Sequence, residues 1–342
     1  MIKLAANLSM LYNEVDFLDR FAAAAKSGFT GVEYLFPYAY PKERLAEALA
    51  RSNLVQVLHN LPAGDWAAGE RGIACHPDRV GEFDDGVGRA IDYATALGCS
   101  QVNCLAGVAP KDVEPEKVRA TFVRNLRFAA DKLGQAGIKL LIEPINTFDI
   151  PGFWLSRTQQ ALAVMSEVGS SNLFLQYDIY HMQRMEGELA GTIKANLSKI
   201  AHVQLADNPG RNEPGTGEIN YRYLFGFLES IGYAGWIGCE YKPAKATTDG
   251  LSWRAAHGVR PANDNIDRPS RFGAAAVAAS PRNVSSTGSE CHGECRIHRA
   301  RNHGIADGGP PDQGRSSCVC AQSRRRAAGA RRGRWPRVRQ PA

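Results

Sequence analysis

Short apolar runs alternate with longer amphipathic stretches along most of this 342-residue chain. Short apolar runs are typical of buried parallel strands, whereas apolar residues spaced three and four apart are typical of helices. The pattern predicts eight strands, at residues 3–7, 31–36, 55–60, 101–105, 139–143, 173–178, 201–206 and 236–241. It predicts helices between them, at residues 15–27, 41–52, 83–97, 115–136, 157–168 and 221–231, and a closing helix at 247–257. Strands that alternate with helices indicate a parallel sheet with crossover helices.

Eight such repeats predict a fold of the α/β class, a single (β/α)8 TIM barrel. The ends of the last four strands carry, in order, an acid, an acid, an amide and an acid, spaced 35, 26 and 36 residues apart. These spacings are close to the roughly 31 residues per repeat of a barrel of ~250 residues. We therefore assign residues 1–258 to the barrel, whose chemistry is expected at the carboxyl ends of its strands.

The four strand-end residues are Glu143, Asp178, Gln204 and Glu240. Because side chains alternate across a strand, all four can face the barrel axis. Three carboxylates and an amide oxygen brought together repel one another unless a cation lies between them. Oxygen ligands favour a hard ion, Mg²⁺ or Mn²⁺, over Zn²⁺. The pattern predicts a divalent metal site with these four ligands, Mg²⁺ first.

A metal that holds a carbonyl oxygen and the adjacent hydroxyl of a substrate acidifies the neighbouring C–H bond, because it stabilises the developing enediolate. Glu143 and Glu240 are the two glutamates placed to move that proton as general acid and base. His181, three residues after Asp178, is expected to hydrogen-bond a substrate oxygen. The alternative is that it caps the following helix. His202 lies lower on its strand and is expected in an interior layer of the barrel.

The longest irregular segment after a strand spans residues 60–77. Loops of this length in compact domains are typically lids or binding loops. Trp66 is expected to cover a small substrate and exclude water, and Arg71 to meet the substrate's charge. The alternative for Trp66 is that it only anchors the loop on the barrel.

Charge divides the chain into two parts. From Val259 onward there are 16 arginines, no lysine and six acidic residues, a net charge of +10. Because the whole chain carries +6, residues 1–258 carry −4. A mildly acidic barrel lacks the clustered basic residues that phosphate binding needs, which argues against a nucleic-acid partner. Residues 259–342 show no apolar periodicity and are predicted to be a disordered basic tail or the product of a shifted reading frame.

The first residues lack a basic leader with an apolar core, and no run approaches the ~18 apolar residues of a membrane span. We therefore expect a cytoplasmic protein that has no membrane contact. The four cysteines of the barrel show no C-x-x-C spacing and are expected to be reduced and buried. They are Cys75, Cys99, Cys104 and Cys239.

Five blocks of sequence resemble a known family. They are HNLPAGDWAAGERGIAC at 59–75, LLIEPINTFDIPGF at 140–153, QYDIYHMQRMEGEL at 176–189, ADNPGRNEPGTGEINY at 206–221 and GCEYKP at 238–243. Through these blocks, residues 1 to about 254 resemble the hydroxypyruvate isomerases. That family lies within the xylose isomerase-like barrels, which also include tagatose-type epimerases and endonuclease IV.

The resemblance implies interconversion of hydroxypyruvate and 2-hydroxy-3-oxopropanoate (tartronate semialdehyde), in glyoxylate metabolism, with Glu143 and Glu240 as proton donor and acceptor. It implies metal binding by the same four strand-end residues. Gln204 stands where the epimerases carry a histidine, which favours Mg²⁺. Related enzymes isomerise larger oxo acids such as 2-dehydrotetronate, so a 2-oxo-tetronate or similar sugar acid is the alternative substrate.

The carboxylate of such a substrate needs a cation. Lys242 is favoured because it follows Glu240 by two residues and shares its orientation on the last strand. The alternatives are Arg71 in the long loop and Arg211 after the seventh strand, whose planar forks would fix a carboxylate bidentately. His59, the first residue of the block at 59–75, is also predicted to bind the substrate. The predicted substrate-binding residues are His181, Lys242, Arg71, Arg211, His59 and Trp66.

Two functions of other classes stay open. An abasic-site endonuclease has the same kind of barrel but needs a multi-zinc site rich in histidine. Residues 1–258 contain only five histidines, which are His59, His76, His181, His202 and His257. A non-catalytic binding module for sugar acids would bind its ligand without exchanging a proton. The expected partner is a small 2-oxo or hydroxy acid, and a homo-oligomer stays open.

Overall fold

Eight parallel strands close into a barrel in which each strand pairs with its neighbours in chain order. The architecture comes from a computed structural model, which describes residues 2–259. The strands are β1 (Lys3–Asn7), β2 (Gly31–Glu33), β3 (Val55–Asn60), β4 (Gln101–Cys104), β5 (Lys139–Ile142), β6 (Leu173–Asp178), β7 (Ile200–Leu205) and β8 (Trp236–Cys239). The predicted TIM barrel is confirmed. Three strands have the predicted bounds, and β2 ends early, where its pairing with β3 shifts register.

Helices follow the strands and surround the barrel. They are α1 (Arg20–Lys26), α2 (Lys42–Ser52), α3 (Val80–Leu97), α4 (Pro115–Gln135), α5 (Thr158–Val168), α6 (Ile179–Met185), α7 (Leu189–Ala195), α8 (Tyr221–Ser230), α9 (Thr247–Gly250) and α10 (Trp253–Ala256). Short 3-10 turns precede α1 and α3. Two helices, α6 and α7, follow β6, where a helix was expected after Asp178 but its bounds were not predicted. The single closing helix predicted at 247–257 is instead two four-residue helices, α9 and α10.

The alternation of side chains along β5 shows which residues reach the barrel axis. Leu140 and Ile142 belong to the main core, whereas Leu141 packs with Ala5 in a small separate cluster. Glu143 follows two residues after Leu141 and shares its orientation. The strand therefore directs Glu143 towards the cavity at the top of the barrel, where it is found.

The four cysteines of the barrel are buried free thiols, as predicted. Within residues 2–259, no helix is both long enough and apolar enough to cross a membrane.

The barrel's packing continues to the last described residue. Val259 is 6% exposed and belongs to the main core, and its backbone N–H donates to the Arg254 carbonyl at 2.8 Å. Arg254 in turn donates from Nη2 to the Ser27 carbonyl at 2.9 Å. Val259 therefore packs with the barrel, although the sequence assigned it to the tail. The predictions of disorder and of a shifted reading frame for the remaining tail lie outside the described residues.

This boundary predicts the outcome of two truncations. A chain that ends at Val259 should keep the melting temperature and activity of the full chain, because it retains every strand and helix of the described barrel. A chain that ends at Gly258 should lose about 1–2 kcal/mol of unfolding free energy, since it lacks one buried valine side chain. Urea denaturation of the three proteins measures both. A loss of stability or activity in the chain that ends at Val259 would show that residues after Val259 have a role.

Candidate active site

A cavity of about 460 Å³ opens at the carboxyl ends of the strands. Such a volume is within the range of ordinary small-molecule sites. It brings together most of the predicted site residues, from segments far apart in the sequence. Its lining includes Trp66, Arg71, Glu143, His181, Gln204, Arg211, Glu240 and Lys242.

Three buried carboxylates converge at the carboxyl ends of the strands, and two of them, Glu143 and Glu240, line this cavity, whereas Asp178 is not among its lining residues. Glu143 follows β5, Asp178 ends β6 and Glu240 follows β8, and each is at most 5% exposed. One ligand atom of each carboxylate, together with a ring nitrogen of His181, lies within 4.8 Å of all the others. The barrel therefore gathers three acids that are 35 and 62 residues apart along the chain.

The two carboxylate oxygens of Asp178 have different surroundings. Oδ1 accepts hydrogen bonds from the backbone N–H groups of Tyr180, at 2.7 Å, and His181, at 3.1 Å, and so caps α6. Oδ2 is buried without a hydrogen-bond partner. A buried carboxylate oxygen without a donor is costly, and a bound cation would satisfy it. This atom fits a metal-binding role for the cluster.

Burial and mutual repulsion raise the pKa values of these acids. Burial, with Glu240 and Asp178 nearby, raises the pKa of Glu143 well above its usual range. Burial also raises the pKa of Glu240 to about 8, although the Arg211 guanidinium acts in the opposite direction. The pKa of Asp178 is raised for the same leading reason, its burial. The site is thus short of positive charge, and a divalent ion among the carboxylates would supply it.

Arg211 supplies part of the missing charge. Its Nη2 lies 3.2 Å from Glu240 Oε2, and its Nη1 lies 3.7 Å from Asp149 Oδ2. Burial works to lower the pKa of Arg211, but Glu240, Asp178 and other carboxylates outweigh it, and the pKa is raised. Arg211 therefore remains a cation that is paired within the site.

The loop that carries Arg211 is organised by Asp207. The Asp207 carboxylate accepts hydrogen bonds from the backbone N–H groups of Gly215, at 2.8 Å, Gly217, at 2.9 Å, and Ile219, at 3.0 Å. The backbone carbonyl of Asp207 accepts a hydrogen bond from the backbone N–H of Arg211 at 2.8 Å. Sequence reasoning missed Asp207, although an acid at the end of a strand, followed by Asn, Pro and Gly, is a signal of a side-chain-stabilised turn.

The tautomer of His181 follows from the amide of Asn146. Asn146 Oδ1 accepts from the backbone N–H groups of Phe148, at 3.1 Å, and Asp149, at 2.8 Å. Its Nδ2 must then face His181 Nδ1, which lies 2.6 Å away. Because Nδ1 accepts this hydrogen bond, the ring proton is on Nε2. Burial, with Arg211 and Arg184 nearby, holds the pKa of His181 well below its usual range, so the ring is neutral.

The Nε2–H of His181 points into the carboxylate cluster. It lies 3.7 Å from Asp178 Oδ2 and 3.9 Å from Glu143 Oε1. A nitrogen that carries a proton donates a hydrogen bond and does not bind a metal. His181 is thus placed to donate to an oxygen in the cavity. The alternative role, capping α6, is wrong because the Asp178 side chain performs it.

Gln204 lies in a buried network that connects three strands. Its Nε2 donates to Glu33 Oε1 at 2.7 Å, and its Oε1 accepts from Gln176 Nε2 at 2.6 Å. A second amide, Asn103, donates to Glu143 Oε2 at 3.0 Å. Sequence reasoning missed Glu33 and Asn103. Both are polar residues inside predicted strands, with the spacing of inward-facing positions, and that was the available signal.

His59 does not contribute to the cavity. Its ring is fully buried edge-on to Tyr38, with ring centroids 6.1 Å apart, and burial lowers its pKa to about 4. The next residue, Asn60, lines the cavity, so the alternation of β3 directs His59 away from it. The predicted substrate contact of His59 is therefore wrong. His202 is fully buried in the barrel, where its Nε2 lies 2.7 Å from Glu33 Oε2, as expected of an interior residue.

Trp66 and Arg71 form one unit of the long loop. The Arg71 guanidinium lies 4.2 Å from the centre of the Trp66 ring, and its Nη1 donates to the Trp66 carbonyl at 3.1 Å. The Trp66 ring also meets Phe36 edge-on, with centroids 5.1 Å apart. Both residues line the cavity, and the contact of Trp66 with Phe36 anchors the loop, so the covering role predicted for Trp66 stays a prediction.

Lys242 lies at the rim of the cavity with an exposed side chain. Its backbone N–H donates to the Arg211 carbonyl at 2.8 Å, which ties the end of β8 to the loop after β7. The side chain forms no ion pair with any residue between 2 and 259. Arg211 is paired with Glu240, and Arg71 donates to two backbone carbonyls and stacks on Trp66, so Lys242 has the fewest partners among the three predicted cations.

Comparison with known proteins assigns the fold to a family. A family model described as the xylose isomerase-like TIM barrel matches residues 21–257. The chain belongs to this family. It is 59% identical to the hydroxypyruvate isomerase of Escherichia coli (strain K12), over 74% of this chain and 98% of that protein.

Two further relatives show the breadth of names in the family. The chain is 48% identical to a 2-oxo-tetronate isomerase of Cupriavidus necator, over 74% of this chain and 97% of that protein. A crystal structure titled AP endonuclease, family 2, from Brucella melitensis superposes with a TM-score of 0.73 at 46% identity. It covers 75% of this chain and 99% of that one. The resemblance found in the sequence is confirmed at the level of the family.

The charge imbalance predicts how the protein responds to divalent ions. Adding Mg²⁺ or Mn²⁺ to chelator-treated protein should raise its melting temperature. At a free metal concentration 100 times the dissociation constant, the unfolding free energy should rise by about 2.7 kcal/mol. Glu143→Gln should be about as stable as the wild type without metal, because burial already disfavours the charged form of this carboxyl group, and its shift with metal should be smaller. Glu82→Gln, which changes an exposed acid, is the matched control. A full metal shift in Glu143→Gln would contradict the assignment.

Proposed function

We propose that this protein is an isomerase that interconverts hydroxypyruvate and 2-hydroxy-3-oxopropanoate by proton transfer through an enediolate. The observation that carries the proposal is the pair Glu143 and Glu240, buried within 4.8 Å of each other beside the Nε2–H donor of His181. The 59% identity to the Escherichia coli hydroxypyruvate isomerase, over 98% of that protein, supports this substrate.

Glu143, Asp178, Gln204 and Glu240 would hold a divalent metal, and Mg²⁺ fits best because all four offer oxygen; Mn²⁺ is the alternative. The unpartnered Oδ2 of Asp178 supports this set. Such an ion would polarise the substrate carbonyl and stabilise negative charge on the neighbouring oxygen. His181 is left out of the ligand set because its facing nitrogen carries a proton.

The reaction moves one proton between adjacent carbons. One glutamate takes the proton from C3 of hydroxypyruvate, and the electron pair of that C–H bond forms the double bond of the enediolate. The second glutamate gives a proton to C2, while the oxygen on C3 loses its proton to become the aldehyde carbonyl and the oxygen on C2 gains one to become a hydroxyl. Proton exchange with water then returns both glutamates to their starting states. Burial raises the pKa values of both Glu143 and Glu240 above their usual range, which is the direction that suits a carboxyl group acting as a general acid as well as a base. His181 donates its Nε2–H to the substrate oxygen that gains charge.

Lys242 is the cation proposed for the substrate's carboxylate. Arg211 is paired with Glu240, and Arg71 is stacked on Trp66 with its Nη1 bound to backbone carbonyls. An ammonium on a flexible stem can adjust to acids of different length. A larger oxo acid, as named for the Cupriavidus necator relative, is the alternative substrate of the same site.

One solved relative, from Brucella melitensis, is described as an AP endonuclease, which is a function of another class. Among the described residues that line the cavity, His181 is the only histidine. A multi-zinc site built on several histidines has no counterpart among residues 2–259 at this cavity. A hard-metal isomerase site fits the oxygen-rich lining better, and we retain it.

Proton exchange tests the proposal directly. In D₂O, purified protein with hydroxypyruvate and Mg²⁺ should exchange the C3 protons, as followed by NMR, and should form 2-hydroxy-3-oxopropanoate. Glu143→Gln and Glu240→Gln should each lower turnover by about 10²–10⁴-fold with the fold intact, because each removes a general acid or base. Asp178→Asn should act mainly by weakening metal binding.

Two results would contradict this mechanism. Near wild-type turnover of Glu240→Gln at saturating metal would exclude the two-glutamate pathway. Metal binding without any exchange at C3, for hydroxypyruvate and for a four-carbon oxo acid alike, would favour a binding module.

A further inference from the structure

Glu33 is a buried carboxylate that the proposed proton transfer does not use. It lies on β2 and is 1% exposed. Its Oε1 accepts from Asn7 Nδ2 at 3.1 Å and from Gln204 Nε2 at 2.7 Å. Its Oε2 lies 2.7 Å from His202 Nε2, which must donate because a carboxylate has no proton to give. Three donors from β1 and β7 therefore converge on this one side chain.

Glu33 reaches β7 across a gap that a glycine provides. Gly238 of β8 pairs with Gln204 on one side and with Ala5 of β1 on the other. A Cβ atom on Gly238 would lie 2.3–2.5 Å from the carboxylate atoms of Glu33. Only glycine leaves that space, so the Glu33 side chain can pass over β8 to the amide of Gln204.

The contact with Glu33 determines which way the Gln204 amide faces. An ionised carboxylate accepts hydrogen bonds only, so the Gln204 atom 2.7 Å from it must be the NH₂ group. The amide oxygen then faces the other way, where it accepts from Gln176 Nε2 and keeps a second lone pair. Without Glu33, the amide could rotate and present its NH₂ group to the cation, which it would repel.

We propose that Glu33 is a positioning residue for the metal site, which holds Gln204 with its amide oxygen available to the metal. The inference rests on the proposed function, because it takes Gln204 as one of the four metal ligands. His202 and Asn7 hold Glu33 by its remaining hydrogen bonds, and Gly238 gives it room. Hydrogen-bond partners of metal ligands typically affect metal affinity by about 10–100-fold.

A double-mutant cycle measured as Mn²⁺ affinity tests this role. The free Mn²⁺ signal in electron paramagnetic resonance gives the dissociation constant for the wild type, Glu33→Gln, Gln204→Ala and the double variant. Glu33→Gln should weaken binding by about 10–100-fold, and Gln204→Ala should also weaken it. The double variant should bind Mn²⁺ no more weakly than Gln204→Ala, because Glu33 acts through the side chain that is already absent.

Two controls separate positioning from instability and from charge. Asn172→Ala removes hydrogen bonds to the Ala130 and Ile138 carbonyls at the opposite end of the barrel, so it should cost stability without changing Mn²⁺ affinity. If Glu33→Gln fails to fold, Gly238→Ala replaces it in the cycle, since its Cβ displaces the Glu33 carboxylate.

Each outcome of the cycle has one meaning. An equal loss of affinity from Glu33→Gln in both backgrounds would show that Glu33 acts through its charge, and would overturn the inference. So would unchanged affinity in Glu33→Gln. Unchanged affinity in Gln204→Ala would instead overturn the proposed ligand set, and this inference with it.

Discussion

Repulsion between buried carboxylates is the constraint on which this site depends. Two unit charges about 4 Å apart repel by about 4 kcal/mol at an effective dielectric constant near 20. Glu143, Asp178 and Glu240 lie at comparable separations and are buried. Arg211 compensates one charge, and a divalent ion would compensate the others. Burial, with this repulsion added to it, raises the pKa values of the two glutamates above their usual range.

Amide side chains fix the geometry around these charges. Asn146 sets the tautomer of His181, Asn103 donates to Glu143, and the Glu33 carboxylate orients Gln204. An amide offers a donor and an acceptor on a rigid plane, so one fixed partner decides which atom faces the cavity. The closed barrel brings these partners together from strands that are distant in sequence. Preorganised donors of this kind cost no rearrangement during the reaction.

The sequence could predict the barrel and the acid positions, because both follow from local periodicity. Each strand has an apolar pattern of its own, and Glu143, Asp178 and Glu240 stand where those patterns end. Contacts between strands could not be predicted in the same way. The role of Glu33 depends on the missing Cβ of Gly238, 205 residues later, and on the register of the strands between them. The error at His59 has a local cause, since the one-residue choice between His59 and Asn60 decides which side chain faces the cavity.

The position of a bound metal tests the account most directly. Crystals of the protein grown with Mn²⁺ should show an anomalous scattering peak among the strand ends. The account predicts one peak, with carboxylate or amide oxygens of Glu143, Asp178, Gln204 and Glu240 at about 2.1 Å, as for a hard octahedral ion. A peak bonded to His181 Nε2, or no peak in this cavity at saturating Mn²⁺, would contradict it.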